Sequence, residues 1–197
     1  MMQLHKIVLP LCLLSATAWA DGYSSDEAVR AADELAQKLG MPPEKRQVVQ
    51  TRLRDVLSSS RFQGKYAGMS IRGVFAYQMG EGGLIVKIKK GRALLRWKGS
   101  PRELHLELKS VTVGAQIGGS SEWGLAVVTS AQDVQRSFGG DYTGGTVAAT
   151  MGGAGTTMME LTNKSGYAPH HKVYLVGTAS GASANAGGGQ LSINVLY

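Results

Sequence analysis

Six basic side chains crowd the stretch LIVKIKKGRALLRWKG at positions 84–99: Lys87, Lys89, Lys90, Arg92, Arg96 and Lys98, with no carboxylate among them. Unneutralised ammonium and guanidinium groups do not themselves make or break bonds; they draw anions. With side chains alternating along a strand, Lys87 and Lys89 oppose Val86 and Ile88, and Ala93, Leu95 and Trp97 oppose Arg92, Leu94, Arg96 and Lys98. A turn near Lys90-Gly91 would lay both basic rows on one surface. Like charges facing each other across strands are mildly destabilising, so such a face is easier to understand with an anion on it. An edge strand guarded against aggregation by lysines explains it equally well at this stage.

Other residue types offer less. His5 is in the N-terminal segment, His105 alternates with Leu104 and Leu106 toward solvent, and His170-His171 follow Pro169 without Cys, Asp or Glu at metal spacing. Glu103 and Glu107 share a strand face but stand too far apart for a tight catalytic pair. Gly152-Gly153-Ala154-Gly155 and Gly187-Gly188-Gly189 lack the Lys-Ser/Thr of a phosphate loop and read as turns or close sheet crossings. No nucleophile elbow or partnered triad is present. The expectation is no enzyme, no metal and no cofactor. Nucleic acid is not expected either, because no exposed aromatic interleaves with the basic residues.

The positive charge is local. Positions 61–109 hold 11 Lys+Arg against 3 Asp+Glu, whereas 21–60 and 110–197 are each slightly acidic. Positions 1–20 read as a signal peptide: Lys6, an apolar run at 7–14 too short to span a bilayer, and Ala18-Trp19-Ala20 as the cleavage site. Cys12 is in that run without a lipoprotein cleavage context, so a cut after Ala20 would leave a chain with no cysteine and exclude disulfide chemistry.

The elements that would position the basic residues begin with two helices. Ser24 is a cap, Asp26 and Glu27 suit the first turn, and Val29, Ala32, Leu35, Ala36 and Leu39 form a stripe ending at Gly40. Pro42-Pro43 opens a second helix to about Ser58, with Val48, Val49, Leu53, Val56 and Leu57 as its apolar stripe. Beyond Arg61 the period changes to two. Strands are expected at 71–78, 84–90, 92–98, 103–113, 122–129, 142–151, 156–162, 172–178 and 190–197, with a short helix at 131–138. The fold class is therefore mainly β: a single antiparallel β-barrel or closed β-sandwich with two N-terminal α-helices and one short internal helix. The organisation is 1–20 signal peptide, 21–60 helical segment and 61–197 β-barrel domain.

The stretch SVTVGAQIGGSSEWGLAVVTSAQDVQRSF (110–138) reads as two strands joined by a Gly/Ser turn, then a short helix. It resembles the central signature of the SYLF-domain family. Gly80-Glu81-Gly82 and Trp97-Lys98-Gly99 make the chain similar also to the periplasmic envelope integrity protein A family of bacteria. The resemblance covers about 69–197. It implies a small periplasmic β-barrel that binds anionic lipid or other envelope components, with contacts from 48–57 and from Lys65 to Lys98. The stretch 180–186 departs from the usual SYLF ending.

The resulting expectation is a periplasmic, non-catalytic protein that meets anionic lipid or a membrane surface and supports envelope integrity. An envelope protein partner is a second expectation, and the oligomeric state is open. Two alternatives stand beside it. One is a purely structural or protein-partner envelope factor. The other is a small outer-membrane β-barrel, suggested by Leu191, Ile193 and Val195 alternating up to Tyr197. Strands of five to eight residues and few aromatics argue against the second.

Overall fold

The computed structural model describes residues 22–65, 67–82, 86–113, 121–131, 134–135, 138–151, 154–163, 172–180 and 186–196. The proposed signal segment, Cys12, the His170-His171 pair, Gly152-Gly153 and Tyr197 lie outside them.

Helix α1 (Ser25–Leu39) starts where its cap demands. The Ser24 side chain accepts from the Glu27 amide, and the Glu27 carboxylate accepts from the Ser24 amide at 2.9 Å. It stops at Gly40, whose φ of 86° is a left-handed conformation that suits glycine. Helix α2 (Pro43–Ser58) follows, and a short α3 (Ser60–Lys65) that periodicity does not announce. In α2 the buried residues are Val49, Leu53, Val56 and Leu57; Val48, expected in the stripe, is exposed.

Eight strands close into an antiparallel barrel: β1 (Ser70–Gly82), β2 (Val86–Trp97), β3 (Glu103–Val113), β4 (Ser121–Ser130), β5 (Gly140–Met151), β6 (Ala154–Asn163), β7 (Lys172–Ser180) and β8 (Ala186–Leu196). The order around the barrel is β1-β2-β3-β8-β5-β6-β7-β4, with β4 returning to β1. Closure leaves no free sheet edge. The guarded-edge account of the lysines therefore does not apply.

Alternation along the strands produces two apolar clusters. Phe75, Tyr77, Leu95, Trp97, Leu106, Leu108, Tyr142, Leu161, Leu191 and Ile193 fill the barrel interior. Ile71, Val74, Ala76, Leu94, Leu125, Val127 and Tyr174 form an outer patch covered by α1 and α2 through Leu35, Leu39, Leu53 and Leu57. The helical segment and the barrel thus share a core.

Several expectations are corrected. The stretches 84–90 and 92–98 are not a hairpin: β2 runs unbroken through Lys90 and Gly91. Gly91 pairs with Met79, and a Cβ there would collide with the Gln78 carbonyl. The glycine serves close strand approach, not a turn. Strands β3 and β4 also form no hairpin, because β3 pairs with β2 and β8, whereas β4 pairs with β1 and β7. Gly187-Gly188-Gly189 lies inside β8, where Gly189 faces Gly144 and Gly188 faces Gly145. The expected helix at 131–138 falls partly outside the described residues; of those described there, Val134 and Phe138 are buried and none is helical.

Candidate functional site

Continuity of β2 divides the six basic residues between the two faces of the barrel wall. Lys89 shares the inner face with Ala93, Leu95 and Trp97, while Lys90, Arg92, Arg96 and Lys98 take the outer face. Lys87 is in β2 opposite Thr112, and its side chain lies outside the description. The single basic surface expected from a hairpin does not form.

The outer residues divide again. Arg96 donates to Glu34 of α1 at 2.7 Å and to Glu103 of β3 at 2.6 Å. These carboxylates raise its pKa, the Glu34 hydrogen bond most. Lys98 donates to Glu27 at 3.1 Å and stands 4.9 Å from the centre of the Tyr23 ring. Lys38 of α1 completes this set by donating to Glu103 at 2.6 Å. Arg96 and Lys98 are fasteners of α1 to the barrel. Their partners on α1 are 62 and 71 residues away in sequence, so the absence of acids from 84–99 did not reveal them.

Lys90 and Arg92 remain exposed. The register sets Lys90 directly opposite Lys109 and Arg92 opposite Glu107. Among the described residues, Lys90, Arg92 and Lys109 have no ion-pair partner. A groove of about 490 Å3 lies against Lys90 and Lys109, lined also by Gly91, Glu107, Ser192 and Asn194 among others. Ser192 donates to Asp141 at 2.6 Å on its far side. Ile88 and Leu196, both large and exposed, lie on the same outer face. Lys109 joins the site only through its register with β2, a contact no local pattern specifies.

Inside the barrel, Lys89 meets an acid. Its Nζ donates to Glu122 Oε2 at 2.7 Å, and the Tyr77 hydroxyl donates to Glu122 Oε1 at 3.0 Å. Burial, reinforced by the Glu122 charge, pushes the Tyr77 pKa far up, so the phenol keeps its proton. Tyr77 is fully buried and Glu122 is 5% exposed. Gly124 makes this arrangement possible, since a Cβ there would run into the Tyr77 ring. Sequence reading missed Tyr77 and Glu122; the one available signal was a lone acid next to Trp123-Gly124 in an otherwise uncharged strand.

A second concavity of about 580 Å3 lies between the N-terminal residues, α3 and the start of β1, lined by Tyr23, Leu57, Phe62, Met69, Ile71 and Thr129 among others. No charged side chain lines it among the described residues. Among the described residues no group of three His, Cys, Asp or Glu side chains could hold a metal, and no helix is long and apolar enough to cross a membrane.

The strands are nine to thirteen residues long, so shortness does not argue against a membrane barrel as the sequence reading held. Face polarity does. Leu191 and Ile193, expected as a lipid-facing row, point into the interior, while described outer positions include Lys90, Arg92, His105, Glu107, Lys109 and Asn194. Membrane barrels have the opposite arrangement.

No protein-family model and no curated protein matches this chain. Among solved structures it is similar to the crystal structure of a beta-barrel-like, uncharacterized protein from Brucella abortus, at 15% identity over 88% of this chain and 94% of that one, with a TM-score of 0.44.

Proposed function

We propose that this chain is an exported, non-catalytic binding protein of the cell envelope that meets anionic lipid through the outer face of β2, β3 and β8. One observation carries the reading: Lys90 stands opposite Lys109, with Arg92 beside them and, among the described residues, no ion-pair partner for any of the three. Like charges in direct register are unfavourable in the free protein, and an anion lying across them removes that penalty. Ile88 and Leu196 add apolar contacts suited to a bilayer surface. The resemblance to SYLF and envelope integrity proteins and the cleavage-like Ala18-Trp19-Ala20 agree with this role in the periplasm. The candidate residues are revised accordingly to Lys90, Arg92 and Lys109.

The test is sedimentation with phosphatidylglycerol–cardiolipin vesicles at low and high salt. Each basic residue near an anionic surface is worth roughly 1 kcal/mol, so Lys90→Glu/Arg92→Glu/Lys109→Glu should weaken binding on the order of a hundredfold or more. Neutral phosphatidylcholine should retain neither form. A wild type that ignores anionic vesicles at low salt overturns the reading in favour of a structural or protein-partner role.

A further inference from the structure

The outer groove has an order beyond its positive charge. On its face, alternate residues of β2, β3 and β8 fall into two cross-strand rows. Lys90, Lys109 and Ser192 are in register in one row, and Arg92, Glu107 and Asn194 in the next. With strands about 4.8 Å apart and about 3.3 Å per residue along them, the six form an array of about 10 by 7 Å. Gly91 and Leu108, paired between the rows, also line the groove.

The array is polarised. The half toward β2 holds three donors, Lys90, Arg92 and Lys109. The half toward β8 holds Glu107, Ser192 and Asn194, which offer acceptors. Ser192 gives its hydroxyl proton to Asp141 at 2.6 Å, so it has only lone pairs left to offer.

Glu107 narrows what such a groove takes. A surface that only attracts anions is weakened by an acid in its middle. The simplest structural role for Glu107 is a cross-strand pair with Arg92 opposite it. Among the described residues, however, Glu107 has no ion-pair partner, although Lys109 is also two residues away on the same face. Its carboxylate is left as an acceptor for a donor carried by the ligand. A cationic donor would be repelled by Arg92 and Lys109 on either side. A hydroxyl is neutral and donates strongly to a carboxylate.

The ligand thus carries an anion for the cations and, a few bonds away, hydroxyls for the acceptors. We infer that the groove recognises a phosphodiester bearing a glycerol diol, the headgroup of phosphatidylglycerol. Lys90 and Lys109 hold the phosphate, and Glu107, Ser192 and Asn194 hold the diol. The bilayer is the source of this headgroup, because exposed Ile88 and Leu196 stand two residues beyond Lys90 and Asn194 at opposite corners of the array. The inference rests on the lipid-binding reading above and adds the headgroup that it selects.

The experiment sediments the chain from Asp21 to Tyr197 with phosphatidylcholine vesicles carrying equal fractions of phosphatidylglycerol, phosphatidylmethanol or phosphatidylethanolamine. Phosphatidylmethanol has the same single negative charge without a hydroxyl. Phosphatidylglycerol should bind about fivefold or more tightly than phosphatidylmethanol, as one charge-assisted hydrogen bond allows, and phosphatidylethanolamine least. Glu107→Ala should cut that preference to about twofold or less. A carboxylate acting only as a charge would leave the ratio unchanged while strengthening binding to both anionic lipids. If this variant does not fold, the wild-type lipid comparison decides alone. Free glycerophosphoglycerol at equal headgroup concentration should not displace the protein from phosphatidylglycerol vesicles. Equal binding to phosphatidylglycerol and phosphatidylmethanol overturns the inference but not the lipid reading, and binding to neither overturns both. The inference also falls if the folded variant keeps the wild-type preference, if phosphatidylethanolamine binds as well as phosphatidylglycerol, or if the free headgroup displaces the protein, which would make the ligand a soluble phosphodiester.

Discussion

Lys89 and Glu122 are on strands that do not touch: β1 lies between β2 and β4, and their 2.7 Å ion pair spans it on the inner side of the barrel. Each is the other's counter-charge in a confined place, so losing one should cost more than losing both. Glu122→Ala should lower stability on the order of 3 kcal/mol, while Lys89→Met/Glu122→Gln should cost less. Urea unfolding of the two variants checks this, and a double variant weaker than the single would contradict it.

Gly124 and Tyr77 are matched in the same way. Gly124→Ala should destabilise by about 1–3 kcal/mol, because a methyl group would overlap the Tyr77 ring. Combining it with Tyr77→Leu should cost less than the sum of the two single changes. Additive losses in denaturation midpoints would show that the ring is not what excludes the methyl.

Glu27 ties helix capping to barrel docking. The Ser24 amide hydrogen bond, with Lys98 next, lowers its pKa to about 2 from an ordinary 4.5. A depressed carboxylate stabilises the fold fully above the ordinary value and loses that contribution as pH falls toward about 2. Thermal midpoints of wild type and Glu27→Gln should therefore differ by a constant amount at neutral pH and converge between about pH 4.5 and 2. Parallel curves through that window would sink the assignment.

Helix α2 docks by a narrower stripe than its sequence suggests. Leu53→Ala should cost about 2–5 kcal/mol, since the side chain is wholly buried. Val48→Ala, at a position 44% exposed, should change stability by less than about 0.5 kcal/mol. Equal losses would mean that α2 is rotated about its axis.

Export is tested directly. N-terminal sequencing of protein from a periplasmic extract should begin at Asp21. Recovery of a chain still starting at Met1 would remove the envelope from the proposed function, whereas one acylated at Cys12 would overturn the cut after Ala20 and make the protein a membrane-anchored lipoprotein.

Fold class was legible in the sequence because it depends on local periods. Ser24, Glu27 and Gly40 mark the ends of α1 whatever surrounds them, and period-two alternation from Ile71 onward announces strands that must bury one face. Trp97 was correctly placed on an inner row for the same reason. The site was not legible, because it depends on which strands become neighbours. Lys90-Gly91 has the local chemistry of a turn, and only the approach of β1 makes that glycine part of a continuous strand. With the turn gone, alternation sends Lys89 inward to Glu122 and leaves Lys90 outside against Lys109. The carboxylates of Glu34 and Glu27 reach Arg96 and Lys98 only once α1 lies across the outer patch. Which cations remain free for a partner is therefore settled by strand order and helix docking, since charge pairing acts between residues tens of positions apart in the chain.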